Sequence, residues 1–207
     1  KIQAFVVPSK FTIEKLKYHG IPEKRLIHIP SFFNFNSITK DSKITYEPFA
    51  LYIGRIEPEK GLLTLIKSFE NTEYKLKIVG FSISGFDEEL KNYLKDKNHN
   101  IEFLGRKTFE DIQTYLSKCL FTIVPSECYD NFPNTILESF AFKKCALATD
   151  TGSLRELVIN NETGLLFKIK DIEDLKNKIE YLFKNDPLCK TFGQNAFDFL
   201  NNEYSED

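Results

Sequence analysis

The chain is poor in the residues that usually hold metals or run thiol chemistry. It has three histidines, His19, His28 and His99, and four cysteines, and neither set is clustered. Cys119, Cys128, Cys145 and Cys189 stand at wide, irregular spacings with no CxxC, so zinc and dithiol-redox readings lose their pattern. Reduced, mostly packed thiols of a cytosolic protein fit that spacing. The scattered histidines give no ligand set, and no metal is expected. No apolar run approaches the roughly 18 residues of a membrane span. The longest, Cys119–Pro125, reads as a buried strand. A basic-then-apolar leader is also lacking. The chain opens on Lys1 directly into a strand-like run, which points to a piece of something longer. Charge of one sign is lacking too: 28 basic residues face 30 acidic ones, for a net charge of -2. No general attraction to nucleic acid or to an anionic membrane follows. GxGxxG is absent. Gly80-Phe-Ser-Ile-Ser-Gly85 has the glycine spacing of a P-loop, but Phe86-Asp87 follows where Lys-Ser/Thr is needed. Nicotinamide binding and nucleotide hydrolysis therefore both lose their motifs. In a cytosolic chain the sequon Asn161-Glu-Thr163 is a chance match.

What is present is an alternation of short apolar runs and amphipathic segments along 207 residues, 42% hydrophobic and 28% charged. That length suits one domain and an extra segment. Strands are expected at Ala4–Val7, Arg25–Ile29, Phe49–Ile53, Lys75–Val79, Asn100–Leu104, Leu120–Val124, Cys145–Thr149 and Gly164–Phe167. Helices are expected at Ser9–His19, Lys60–Phe69, Asp87–Lys95, Phe109–Lys118, Asn134–Lys143, Ser153–Asn160, Ile172–Lys184 and Pro187–Asn201. Ser9 and Thr108 suit N-caps and Gly20 suits a helix end. Runs that are apolar nearly throughout, such as Leu120–Val124, suit strands covered on both faces. The alternation predicts an α/β fold, a doubly wound parallel Rossmann-like sheet with helices on both sides. Ser31–Glu47 breaks the rhythm and reads as an interdomain linker. Residues 1–47 are then a β-α-β remnant plus linker, and residues 48–207 a complete domain. Phe32, Phe33 and Tyr46 read as core or linker packing, without the interleaved basic residues that nucleic-acid stacking uses.

In such a sheet, ligands bind beyond the carboxyl ends of the strands. After Phe49–Ile53 come Gly54, Arg55, Lys60 and Gly61. Glycine permits close backbone approach, and two cations on one loop are able to clamp a diphosphate. Taken alone, Arg55 and Lys60 are more often plain surface charges. After Leu120–Val124 comes a loop through Asp130, Asn131, Phe132 and Pro133 to the helix that starts at Asn134 and carries Glu138. Pro133 fits a first helical turn, whose free N–H groups suit an anion. Glu138 sits among Ile136, Leu137, Phe140 and Ala141, so it is either a structural ion pair or a ligand contact. Along a helix, the spacing from Asp130 to Glu138 would span ~12 Å, beyond the roughly 5–9.5 Å of paired glycosidase carboxylates.

These segments resemble glycosyltransferase family four, the retaining GT-B enzymes. The carrying residues are Ala50-Leu-Tyr-Ile-Gly-Arg-Ile-Glu-Pro-Glu-Lys-Gly61 and Pro125-Ser-Glu-Cys-Tyr-Asp-Asn-Phe-Pro-Asn-Thr-Ile-Leu-Glu138, the latter similar to an E-x7-E segment. Ile101–Gly105, Leu154–Val158, Thr163–Phe167, Val7-Pro-Ser9 and Ile27–Pro30 match in the same order. The resemblance implies the C-terminal, donor-binding half of a GT-B fold, with residues 1–47 left from the acceptor domain. It implies that Arg55 and Lys60 hold the donor diphosphate and Glu138 the ribose hydroxyls. Asp130 and the backbone of Asn131, Phe132, Pro133 and Asn134 would face the transferred sugar, the strand ends near Gly80 and Gly105-Arg106 would border the base, and Gly54 would be a further donor contact. Cations and a helix start would stabilise the departing diphosphate, with no metal and no cofactor beyond a UDP- or GDP-type sugar donor. The implied activity is transfer of a hexose to a glycan or lipid-linked acceptor in surface polysaccharide biosynthesis. The acceptor would bind a missing N-terminal half, so this chain alone would be inactive. The implied location is cytoplasmic, with peripheral attachment to the inner face of the membrane left open. A non-catalytic donor-binding module and a phosphorylase or synthase are the alternatives. Departures are Asp130 for Glu, Lys143 and Cys145 for Gly and Pro, and Ser153 for Gly.

Overall fold

The computed structural model describes residues 2–38 and 43–205, so the part of the expected linker at 39–42 lies outside the described residues. Strand β1 (Phe5–Val7), helix α1 (Lys10–Tyr18) and strand β2 (Leu26–His28) form a small two-stranded parallel sheet. Ser9 caps α1 by accepting from the Thr12 N–H, and Gly20 lies beyond the helix end in the left-handed region. Arg25, expected to open β2, belongs instead to a 3-10 turn over Glu23–Arg25.

The large sheet contains β3 (Phe49–Ile53), β4 (Lys75–Val79), β5 (Ile101–Gly105), β6 (Phe121–Val124), β7 (Ala146–Thr149) and β8 (Gly164–Phe167). All pairings are parallel in the order β5-β4-β3-β6-β7-β8. Chain order reverses at β3, whose neighbours β4 and β6 continue in opposite directions, which is the doubly wound α/β arrangement. Strand side chains alternate between the two faces. Ala50 and Tyr52 join one core, and Phe49 and Leu51 the other. The first core is closed by α2 (Leu62–Phe69), α3 (Phe86–Leu94) and α7 (Ile172–Lys184). The second is closed by α4 (Phe109–Lys118), α5 (Asn134–Ala141), α6 (Leu154–Leu157) and α8 (Asp186–Glu203).

Local chemistry explains where boundaries moved. Thr108 and Asp111 complete a capping box, so α4 has the expected bounds. The expected start at Lys60 is overturned: Pro58–Lys60 is a 3-10 turn, and left-handed Gly61 separates it from α2. The helix expected over Ser153–Asn160 shrinks to one turn because Val158 is already extended. Pro133, expected inside α5, precedes it as the N-cap. Lys143 adopts φ 55, a left-handed turn at a position where the resembling family has glycine. Phe33 is buried and the Tyr46 ring packs under Lys144, but Phe32 is exposed and is no core residue. Cys119, Cys145 and Cys189 are buried free thiols, while Cys128 is half-buried.

The two sheets are tied together beside the carboxyl end of the large one. The Glu156 carboxylate accepts from the Lys10 N–H at 2.9 Å and the Phe11 N–H at 2.5 Å, capping α1 from another element. The Phe11 ring lies 4.8 Å from that of Tyr129.

Candidate functional site

Strands β3 and β6 are neighbours whose following loops leave the sheet together, and a cavity of about 250 Å³ opens there. Its lining includes Gly54, Arg55 and Lys60 after β3, and Asp130, Pro133 and Asn134 after β6. Six of the residues expected from the sequence therefore share one concave surface at the switch point.

The approach of the two loops depends on Gly61. Its φ is 71, and a Cβ placed there would stand 1.9 Å from the Pro125 carbonyl oxygen. Only glycine accepts both the left-handed backbone and that contact. The contact is extended by the Glu127 N–H, which donates to the Glu59 carbonyl at 2.9 Å. It is extended again by the Thr64 hydroxyl, which donates to the Glu127 carboxylate at 2.6 Å. Held this way, Lys60 forms an ion pair with Asp130, their side chains 18% and 16% exposed. Ser153, buried where the resembling family has glycine, donates its hydroxyl to the Asp130 carbonyl at 2.5 Å. Arg55 is more open, and its guanidinium is 3.3 Å from Glu59. The Tyr52 hydroxyl donates to the Arg55 carbonyl at 2.6 Å and fixes the turn. Burial, with the neighbouring Asp130 charge, pushes the Tyr52 phenol up, so it acts as a neutral donor.

Helix α5 enters the cavity by its amino end. No side chain caps it, and its first residues, Asn134 and Thr135, line the wall. A helix start without a side-chain cap, beside two cations, is a place for an anion.

A second cavity of about 170 Å³ shares Ile53 and Gly54 with the first and is completed by Val79, Gly80, Phe81, Arg106, Lys107 and Ile112. Gly80 and Arg106, expected at the nucleotide, lie here. Asn131, Phe132 and Glu138 line neither cavity. The Phe132 ring packs edge-on against Tyr204 at 5.4 Å. Glu138 is four residues beyond Asn134, on the same face of α5 one turn deeper. Among the described residues its carboxylate has no ion-pair partner and no hydrogen-bond partner. Burial pushes its carboxyl above the usual range. The structural ion pair, one of its two readings, is thus not what holds it.

Sequence reasoning missed Tyr52, Ser126 and Thr135, all of which line the first cavity. Tyr52 sits in an apolar strand and reads as core. Ser126 and Thr135 carry no signal beyond flanking residues that had been singled out. Among the described residues, no three His, Cys, Asp or Glu side chains gather as a metal-binding group. No helix among them is long and apolar enough to cross a membrane.

The family model "Glycosyl transferases group 1" matches residues 34–199. An uncharacterized glycosyltransferase of Methanocaldococcus jannaschii is 34% identical over 152 residues, covering 73% of this chain and 42% of the relative. The capsular polysaccharide biosynthesis glycosyltransferase CapM of Staphylococcus aureus is 26% identical, covering 80% of this chain and 45% of its own length. The chain thus spans less than half the length of these relatives. Among solved structures, Anabaena HepE in complex with UDP and glucose superposes with a TM-score of 0.86 at 18% identity, covering 98% of this chain and 59% of that one. At that identity the likeness is one of fold. The matched model extends over most of the sequence and includes both cavity walls, and the chain belongs to the glycosyl transferases group 1 family.

Proposed function

We propose that this chain is the donor-binding half of a retaining GT-B glycosyltransferase that takes a hexose from a nucleoside diphosphate sugar of UDP or GDP type. The observation that carries the reading is the shared cavity of Arg55, Lys60, Asp130 and the uncapped start of α5. Breaking the sugar–phosphate bond leaves a nucleoside diphosphate, and preorganised cations and helix N–H groups stabilise that charge as it develops. In this reading Arg55 and Lys60 hold the diphosphate, and Asp130 faces the sugar. Glu138 reaches the ribose from one turn deeper in α5. The first strand–helix–strand unit and linker, residues 1–47, belong with an acceptor-binding half, and residues 48–207 form the donor domain. The acceptor is a glycan or lipid-linked sugar, in keeping with the capsular role in CapM's name. The donor itself is the only small molecule the chemistry needs. The setting is the cytoplasm, with any membrane contact made through the acceptor half.

Calorimetry of the chain with a panel of nucleoside diphosphate sugars tests the site. Binding of at least one donor, lost in Arg55→Ala and Lys60→Ala, is expected. Full affinity in both variants would overturn the assignment. Joined to an acceptor half, the protein is expected to transfer sugar with retention of configuration and without added metal.

A second reading, a non-catalytic donor-binding module, draws on the ion pair between Lys60 and Asp130. Among the described residues, that pair occupies the one acid lining the cavity and one of its two cations. Donor binding without any turnover in the protein joined to an acceptor half would favour it.

A further inference from the structure

Glu57 lies in the turn after β3, between Arg55 and Lys60 in the chain, and is 7% exposed. It has no cationic partner among the described residues, yet its carboxylate accepts four hydrogen bonds. Oε1 accepts from the Ile83 N–H at 2.7 Å, the Ser84 N–H at 3.3 Å and the Ser82 hydroxyl at 3.3 Å. Oε2 accepts from the Ser84 hydroxyl at 2.5 Å. These donors, the Ser84 hydroxyl foremost, hold its carboxyl below the usual value, so the ionised form grips the loop.

The contacts lengthen a backbone seam between the same two loops. The Gly54 N–H donates to the Val79 carbonyl at 3.0 Å and the Ile56 N–H to the Phe81 carbonyl at 2.9 Å. Gly80 permits the approach, since a Cβ there would stand 1.9 Å from the Gly54 carbonyl oxygen. Phe81 is consequently fastened on both sides, by Gly54 at the Val79 carbonyl before it, and after it by Ile56 at its own carbonyl and Glu57 two residues later. Its ring lies 5.0 Å from the Arg106 guanidinium, and both line the smaller cavity. With Ile53, Val79 and Ile112, they make an apolar slot with one cationic wall, suited to a flat heteroaromatic ring.

Glu57 itself is a poor contact for a diphosphate, because its charge repels one. We propose that Glu57 is a positioning residue that locks the 81–84 loop to the diphosphate turn, so that Phe81 and Arg106 form a ready-made slot for the base of a nucleoside diphosphate. This rests on the donor-binding reading given under Proposed function and adds the coupling between its two halves.

The test compares uridine and guanosine diphosphate with inorganic pyrophosphate, by calorimetry on the wild-type chain, Glu57→Gln and Ser84→Ala. Glu57→Gln is expected to weaken the better-bound nucleoside diphosphate about tenfold. Pyrophosphate affinity should stay level or rise, because a negative charge has gone. Ser84→Ala removes one donor and should move the balance the same way by a smaller factor; it carries the test should Glu57→Gln not fold. Equal loss of both ligand types, or an unchanged nucleoside diphosphate affinity, would overturn the coupling while leaving the site intact. A wild-type chain that bound neither ligand would overturn the donor-binding reading and this inference with it.

Discussion

The ammonium of Lys60 and the carboxylate of Asp130 form an ion pair that joins the turn after β3 to the loop after β6. Both side chains are mostly withdrawn from water, so the pair is screened less than a surface one. A diphosphate arriving in the cavity would compete with Asp130 for the same ammonium.

That competition has a direction. Asp130→Asn frees Lys60 and removes a like charge, so affinity for a sugar-free nucleoside diphosphate should rise, by about tenfold at most. The sugar-bearing donor should gain less, because the proposed contact to its sugar is weakened at the same time. Titration of both ligands into the variant measures the difference. Equal gains for the two would remove the sugar from Asp130's role.

Arg55 should separate binding from stability. Its pair with Glu59 is exposed and one helical turn apart in sequence, a type worth about 0.5 kcal/mol or less. Arg55→Ala is therefore expected to leave the urea midpoint nearly unchanged while donor affinity falls by about tenfold or more.

Gly61 is the reverse case, a residue without a side chain on which the cavity depends. Gly61→Ala must strain a left-handed backbone and push against the Pro125 carbonyl. A loss of about 3 kcal/mol is expected from those two costs. Donor binding should fall with it as Lys60 moves, which paired melting and binding measurements would reveal.

Lys144 gives a pH signature. It is fully buried, its ammonium donates to the Thr45 carbonyl, and its nitrogen stands 3.6 Å from the Tyr46 ring centroid. Burial pushes its pKa down from 10.5 to about 8. The folded value lies below the unfolded one, so the unfolded chain holds more protons in that window and stability rises with pH across it. Buried Cys119, pushed up to about 12, acts in the opposite sense at higher pH. The difference between Lys144→Met and wild type removes the burial effect on the cysteine and leaves only the part by which the Lys144 charge draws the thiol's pKa down. The variant's stability relative to wild type should drop by about 2 kcal/mol between about pH 7.5 and about pH 9.5. Denaturant melts at the two pH values check this, and a constant difference would rule out a lowered lysine.

The fold was legible where a local signal marked the start of an element. Thr108 and Asp111 bracket the start of α4, and Phe49–Ile53 is apolar throughout after Pro48, so these elements have their expected bounds. The site was legible in part, because charged residues just after apolar runs mark strand ends in a parallel sheet. What stayed hidden depended on distant partners. The contact of Gly61 with Pro125, the bond from Ser153 to the Asp130 carbonyl and the grip of Glu57 on Ser84 join segments with no shared local pattern. Tyr52 was hidden for another reason: a strand residue whose ring is buried shows nothing in sequence of the hydroxyl that faces the cavity turn.

Glu138 brings stability and recognition into opposition. Its carboxyl is raised by burial alone, so the folded state favours the protonated form. That contribution is fully present below the unfolded carboxylate value and is lost as pH rises through the higher folded one. At neutral pH the ionised side chain is therefore a cost to the fold, tolerable if a ligand supplies the missing donors. Glu138→Gln removes the charge while keeping the shape, and it should raise the melting temperature at neutral pH, with the gain shrinking toward about pH 4. The same change should weaken a ribonucleoside diphosphate by about tenfold, because a carboxylate accepts two ribose hydroxyls better than an amide does. A 2′,3′-dideoxy nucleoside diphosphate lacks those hydroxyls and should bind wild type and variant alike. If both nucleotides weaken equally, Glu138 acts on the packing of α5 rather than on the ribose.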